Sequence, residues 1–253
     1  MPDPEAGWTQ LVRELHRTHP RTVLLPLGAV EAHGPHLPLE TDSIIATHLA
    51  QAVRGLLADR HHLSAVCAPA LTATAASWAA DFPGTFSLSA DAARSVLRDS
   101  IDAFVGVGAT RFVLVNLHFD PAHLAAVRDV VARFKQKGFH GMVFPDFTRR
   151  ASAKRIGGEF ETGACHGGEF ETSLMLAAAP EKVGTAYAKL PTLNIDLAKA
   201  IRSGKTSFRE VGMNEAYCGH PSTATVEEGL RLFDVLTTVV VEEALQEWAP
   251  TGS

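Results

Sequence analysis

The chain has 253 residues, 46% of them hydrophobic and 20% charged, with a formal charge of -5 and a pI near 6.2. That length lies at the upper end of what one α/β core organises, and the apolar content is ample for such a core. The acidic balance, with no basic run longer than Arg149-Arg150, argues against a nucleic-acid-binding face.

Residues 5–18 place Trp8, Leu11, Val12 and Leu15 at a helical period. Residues 22–27 read as a buried strand, followed by a loop over 29–41 that carries two histidines, two prolines and two glutamates. Asp42 opens a helix predicted to reach Ala58, and 64–70 form a second strand candidate. Residues 72–85 are rich in small side chains and end in Phe82-Pro-Gly-Thr85, a loop signal. Ser89 caps a helix running to Phe104, and 111–116 is the clearest strand, a β-branched and aromatic run. A helix over 121–136 is stopped by Gly138, and 141–144 is a further short strand.

Residues 148–164 are Gly- and charge-rich and predict a surface loop. The six residues Gly-Gly-Glu-Phe-Glu-Thr at 157–162 recur at 167–172. A helix follows over 169–178, then a weakly patterned stretch over 186–218. Thr225 and Glu228 form a capping box that opens the last helix, to Trp248. Strands alternating with helices predict one α/β domain over 1–253, a mostly parallel central sheet with helices on both faces. Function in such sheets gathers at the carboxyl ends of strands, where the polar clusters fall.

Cys67, Cys165 and Cys218 are odd in number and widely spaced, which predicts neither a disulfide framework nor a cysteine zinc ribbon. The first eight residues are polar and acidic, and the apolar runs are strand-sized. The expected location is cytoplasmic, without membrane or nucleic-acid partners.

Chemistry concentrates in Glu31-Ala-His33, followed by Gly34-Pro35, Leu37-Pro38 and then Asp42. Alternate residues of an extended chain point the same way, so Glu31 and His33 share a face. The proline-bearing loop can fold Asp42 back toward them. Oxygen and nitrogen donors gathered in this way suit Zn, Mn or Fe, and a carboxylate such as Asp42 can bridge two ions. The plain alternative is that Asp42 merely caps a helix, with Glu31 and His33 exposed in the loop. His36 is read as packing the loop and Glu40 as solvated. After the strand at 111–116, His118 stands where a side chain can enter a cleft. Asp120 followed by Pro121 is a helix N-cap with proline at the first helical position. His123, one turn on, is read as a surface residue. Trp78 is either core or a wall of the substrate cleft.

The stretch Pro26-Leu-Gly-Ala-Val-Glu31-Ala-His33-Gly-Pro-His36-Leu-Pro-Leu-Glu-Thr-Asp42 closely resembles the opening motif of the creatininase family. The likeness extends through Asn116-x-His118, Phe82-Pro-Gly-Thr85, His166-Gly-Gly-Glu169-Phe-Glu171-Thr-Ser173 and Gly219-His-Pro-Ser-Thr-Ala-Thr225, covering roughly residues 20–240. It implies a creatininase-like fold and two divalent metal ions per subunit (Zn, Mn or Fe), with Glu31, His33, Asp42 and His118 as ligands and Asp42 bridging. It implies Glu169 as the leading candidate for the remaining ligand, with Asp120 in reserve as an alternative to its capping role. It assigns His166 to proton transfer, while Glu171 and Ser173 hold the helix start. It also implies a homo-oligomer, with a hexamer as the family's usual form.

Two departures set creatinine itself in doubt. Cys165 stands where creatininases proper carry an acid, and Pro145 and Thr162 stand where they carry tryptophans. The expected reaction is hydrolysis of a C–N bond in a small amide, cyclic amide or formamide by a metal-bridging water. The alternatives are trimming of a modified-peptide cofactor precursor, ring opening of a keto-inositol, or a relative that binds metal without catalysis.

Overall fold

The computed structural model describes residues 8–17, 21–163 and 166–249. The elements run α1 (Trp8–Arg17), β1 (Thr22–Leu27), α2 (Thr41–His61), β2 (Val66–Cys67), α3 (Ala90–Gly106), β3 (Arg111–Asn116) and α4 (Pro121–Gln136). They continue as β4 (Met142–Val143), α5 (Arg150–Ile156), α6 (Gly158–Thr162), α7 (Glu169–Ala178), α8 (Leu197–Arg202) and α9 (Val226–Trp248). The ends of the first predicted helix, residues 5–7 and 18, lie outside the described residues, as does Cys165.

The strands form one parallel sheet in the order β2-β1-β3-β4. Side chains of a strand alternate between faces, and both central strands are apolar on both. Leu24, Val113 and Val115 pack with α2, α7 and α9, whereas Val23, Leu25, Leu27, Phe112 and Leu114 pack with α3, α4 and Leu15 of α1. This is the α/β layering expected from the sequence. β1 and β3 are the long strands, paired from Thr22↔Arg111 to Leu27↔Asn116, so the loops after Leu27 and Asn116 leave the sheet side by side. From β1 the chain turns to β2 on one side, and from β3 to β4 on the other. A crevice opens between such diverging connections, and it positions the site.

Local hydrogen bonding sets the helix starts. Ser89 accepts from Ala92 N–H, Thr225 from Glu228 N–H, and Asp120 from Ala122 and His123 N–H with Pro121 behind it. The second and fourth strands are shorter than expected, two residues each, and beyond β2 the chain meets β1 again at the isolated bridge Leu27↔Leu71. The surface loop expected over 148–164 is instead α5 and α6 among the described residues. Ile156 and Phe160 are buried there against the α7 and α9 side of the core. The weakly patterned 186–218 region buries Leu197, Phe208, Met213, Ala216 and Cys218 around Trp78 and Phe82.

Candidate metal centre

Each functional side chain is held by an identifiable local device. Past β1, Phe86 N–H bonds Val30 O, Ala32 N–H bonds Thr85 Oγ1, and Glu31 N–H bonds Leu39 O, closing the loop that presents Glu31 and His33. The Phe82-Pro-Gly-Thr85 motif is thereby the brace of that loop. Asp42 lies in the first turn of α2 but does not cap it; the cap position is Glu40, which makes no side-chain bond there. Asp42 is thus free for other work. His118 follows β3 directly and is clamped by Asn116, whose Nδ2 donates to His118 O at 2.7 Å.

These residues converge. His33 Nε2 lies 2.9 Å from Asp42 Oδ1, and His118 Nδ1 lies 2.9 Å from Asp42 Oδ2 and 3.1 Å from Glu31 Oε1. Glu171 Oε2 is 3.5 Å from His33 Nε2, and His166 Nδ1 is 3.8 Å from Glu31 Oε1. All six residues are buried.

The other nitrogen of each imidazole meets a backbone carbonyl: His33 Nδ1 at Glu31 O (3.0 Å), His118 Nε2 at Ala75 O (2.9 Å) and His166 Nε2 at Ala32 O (2.8 Å). A carbonyl only accepts, so those nitrogens carry the proton and the opposite ones face the carboxylates. This is the arrangement that orients histidines toward a metal.

Without a cation the cluster stores protons. Burial opposes charge on His33, but Asp42, Glu171 and Glu31 outweigh it and raise its pKa to about 10. His118 is likewise raised well above its ordinary value against the burial penalty, by Glu31 and Asp42. Burial would raise Asp42, yet the two imidazoles hold it well below the usual carboxylate range. Burial, reinforced by Asp42 and Glu31, pushes Glu171 up to about 8 although His33 pulls the other way. His166, buried and beside His33, is lowered well below neutrality and stays uncharged.

The residues fit divalent ions. His33 Nε2 and both oxygens of Asp42 are buried without an aligned hydrogen-bond partner, although nitrogen and oxygen stand 2.9 Å apart. Among the described residues, three sets of candidate ligand atoms lie within 4.8 Å of one another: Glu31, Asp42 and His118; His33, Asp42 and Glu171; and Glu31, His33 and His166. Asp42 belongs to the first two, as a bridging carboxylate would.

The family model for creatininase, creatinine amidohydrolase, matches residues 4–244. The chain belongs to the creatininase family. It is 32% identical over 253 residues to the mycofactocin precursor peptide peptidase of Mycolicibacterium smegmatis, covering 98% of this chain and 93% of that one. Among solved structures it superposes on a manganese creatininase with a TM-score of 0.71 at 22% identity, covering 97% and 98% of the two chains. A mutant creatininase of the Zn-Zn type gives 0.70 at 21%, covering 97% of each chain.

This creatininase-family chain departs from the sequence reading at two expected ligands. Neither Glu169 nor Asp120 joins the cluster, and Glu171 does. Glu169 lies in the first turn of α7, half-buried, while Glu171 is buried and accepts from Gly167 N–H at 2.7 Å. Asp120 is taken up by four donors: Ala122 and His123 N–H on Oδ1, and Ser77 Oγ and Trp78 N–H on Oδ2.

His123, read as a surface residue, is buried between Thr74 Oγ1 (2.6 Å) and Asn116 Oδ1 (2.8 Å), where it steadies the strand end behind His118. Its spacing with Ala126, Val127, Val130 and Phe134 is a buried helical face, a signal already in the sequence. His36 packs the loop as expected, its Nε2 2.9 Å from Thr172 Oγ1.

Glu31, Asp42, His166 and Glu171 of the cluster line a cleft of about 380 Å³. Trp78, Phe119, Phe160 and Phe208 wall it, and Arg128 and Arg202 also line it. Trp78 meets Phe208 edge-on at 5.7 Å, and Phe208 stacks on His166 at 4.2 Å. No helix among the described residues is long and apolar enough to cross a membrane.

Proposed function

We propose that this protein is a two-metal amidohydrolase that cleaves the C–N bond of a short peptide bearing a carboxylate. The observation that carries it is the trio of buried imidazoles, each tied through one nitrogen to a carbonyl and aimed through the other at buried carboxylates on a cleft floor. One ion would be held by Glu31, Asp42 and His118, the other by His33, Asp42 and Glu171. Zinc or manganese is favoured by the oxygen and nitrogen donors and by the metal forms of the structural relatives. Such a pair supplies an acidified water and Lewis acidity toward the scissile carbonyl.

The chain's own residues do the rest. Glu31 and Asp42, joined by Glu171 once its proton has left, supply the negative charge that suits the site to a cation. His166, uncharged and with Nδ1 bare toward the cleft, can take a proton and return it to the departing nitrogen. Trp78, Phe119, Phe160 and Phe208 exclude water and pack an apolar part of the substrate. Arg202 suits a carboxylate, whereas Arg128 is held by Asp146 through Nε and Nη2 at 2.9 and 2.7 Å.

The size of the cleft and the named activity of the Mycolicibacterium relative favour a peptide over a single small ring. Free Cys67 and Cys218 accord with a reducing, cytoplasmic setting. Assembly as a homo-oligomer follows only from the family likeness.

Zinc- or manganese-loaded protein assayed with short peptides, creatinine, a formamidopyrimidine and a keto-inositol tests the reading. Chelator-sensitive release of an amine from a peptide is expected. Full metal loading without hydrolysis of any member would instead make it a metal-binding relative without catalysis.

A further inference from the structure

The sequence Gly-Gly-Glu-Phe-Glu-Thr occurs at 157–162 and again at 167–172, yet only the second copy sends an acid, Glu171, to the metal cluster. The first copy has a different task. The cap position of helix α7 is Gly168, which has no side chain to cap it. Glu159 of α6 stands in: its Oε2 accepts Phe170 N–H at 3.0 Å, in the first turn of α7. Its Oε1 accepts His220 N–H at 2.5 Å and lies 3.3 Å from His220 Nδ1.

The Glu159 side chain is 2% exposed, and a Cβ on either Gly168 or Gly219 would collide with its carboxylate. Those two glycines therefore leave the space that the carboxylate fills. The segment it clamps also reaches the site, since Cys218 N–H bonds His166 O at 2.8 Å. Gly167 N–H in turn holds Glu171 Oε2. One carboxylate thus ties α6, the first turn of α7 and the 218–220 segment, and His166 and Glu171 hang between them. A negative group at a helix N-terminus is also favourable to the helix.

We propose that Glu159 is a positioning residue of the metal centre: by capping α7 and clamping the 218–220 segment, its carboxylate sets where Glu171 and His166 enter the cluster. This rests on the metal reading above. A carboxylate accepts from both backbone N–H groups, whereas an amide turns its NH2 against one of them, so Glu159→Gln releases one clamp at almost unchanged volume.

The test is zinc titration of the full-length chain against a chromophoric chelator, at temperatures where circular dichroism shows the protein folded. Wild type should load two zinc ions. Glu159→Gln should bind the second one about tenfold to a hundredfold more weakly, the range for residues that support ligands. Glu161→Gln, on the same short helix but exposed, should bind as wild type does. Equal affinities in Glu159→Gln and wild type overturn the inference alone. A wild type that takes up no zinc overturns the metal reading and this inference with it.

Should Glu159→Gln fail to fold, the wild type decides. Coupling is reciprocal, so zinc must slow hydrogen exchange at the Phe170 and His220 amides, the two donors on Glu159. Unchanged exchange there overturns the inference.

Discussion

Replacing Asp42 by alanine should abolish metal-dependent stabilisation altogether, whereas His118→Ala or Glu171→Ala should halve it. The ratio follows from the ligand sets: Asp42 faces His33 through one oxygen and His118 through the other, while His118 and Glu171 each belong to one set. A site filled at a free ion concentration a hundred times its dissociation constant stabilises the fold by about 2.7 kcal/mol. Two such sites give about 5 kcal/mol, and at roughly 2–4 °C per kcal/mol for a chain of this size the melting temperature rises by about 10–20 °C. Thermal melts with zinc and with chelator measure the rise directly. Wild type should show the full value, His118→Ala and Glu171→Ala about half, and Asp42→Ala none. An Asp42→Ala protein that keeps the full rise would refute the bridging assignment.

The two carboxylates first expected as ligands should behave differently from Glu171. Glu169→Gln and Asp120→Asn should retain both ions by elemental analysis, and Glu171→Gln should lose one. Asp120→Ala should instead cost stability, roughly 2–4 kcal/mol in urea unfolding, because a helix cap is lost and the buried Trp78 N–H is left unpaired. Metal uptake should release protons. With pKa values of about 10 for His33 and about 8 for Glu171, and His118 also raised, all three hold protons at pH 7 and bind metal only without them. Apparent affinity should therefore climb from pH 7 toward 10 and fall on acidification, with roughly three protons released per two ions in calorimetry across buffers. Affinity that is flat with pH contradicts this charge assignment. Trp78→Phe keeps an aromatic wall against Phe208 but changes its reach, and should raise KM for a peptide more than it lowers kcat.

What the sequence revealed, and what it hid, divides by range. Helix starts at Ser89, Asp120 and Thr225 were readable because a cap is a bond between neighbours in the chain. The central strands were readable because both faces are apolar, and parallel pairing buries both. Glu31, His33 and Asp42 were readable as a group because one shaped loop carries them.

Glu171 was not. Two residues apart on a helix are separated by about 200°, so Glu169 and Glu171 point to opposite sides, and the chain alone does not say which side meets the cluster. That choice is made by distant partners: Glu159 and His220 at the start of α7, and α9 packed so closely on it that a Cβ at Gly229 would collide with Ser173 O. The same holds for residues 150–162, where charged residues on an exposed side masked two short helices held by Ile156 and Phe160.

The central claim is a pair of cations under the cleft, and anomalous diffraction from crystals grown with zinc or manganese tests it most directly. Two peaks are predicted, one among Glu31, Asp42 and His118 and one among His33, Asp42 and Glu171, with Asp42 contributing an oxygen to each. An absence of anomalous signal at these side chains, or a peak placed instead on Glu169 or Asp120, would contradict it.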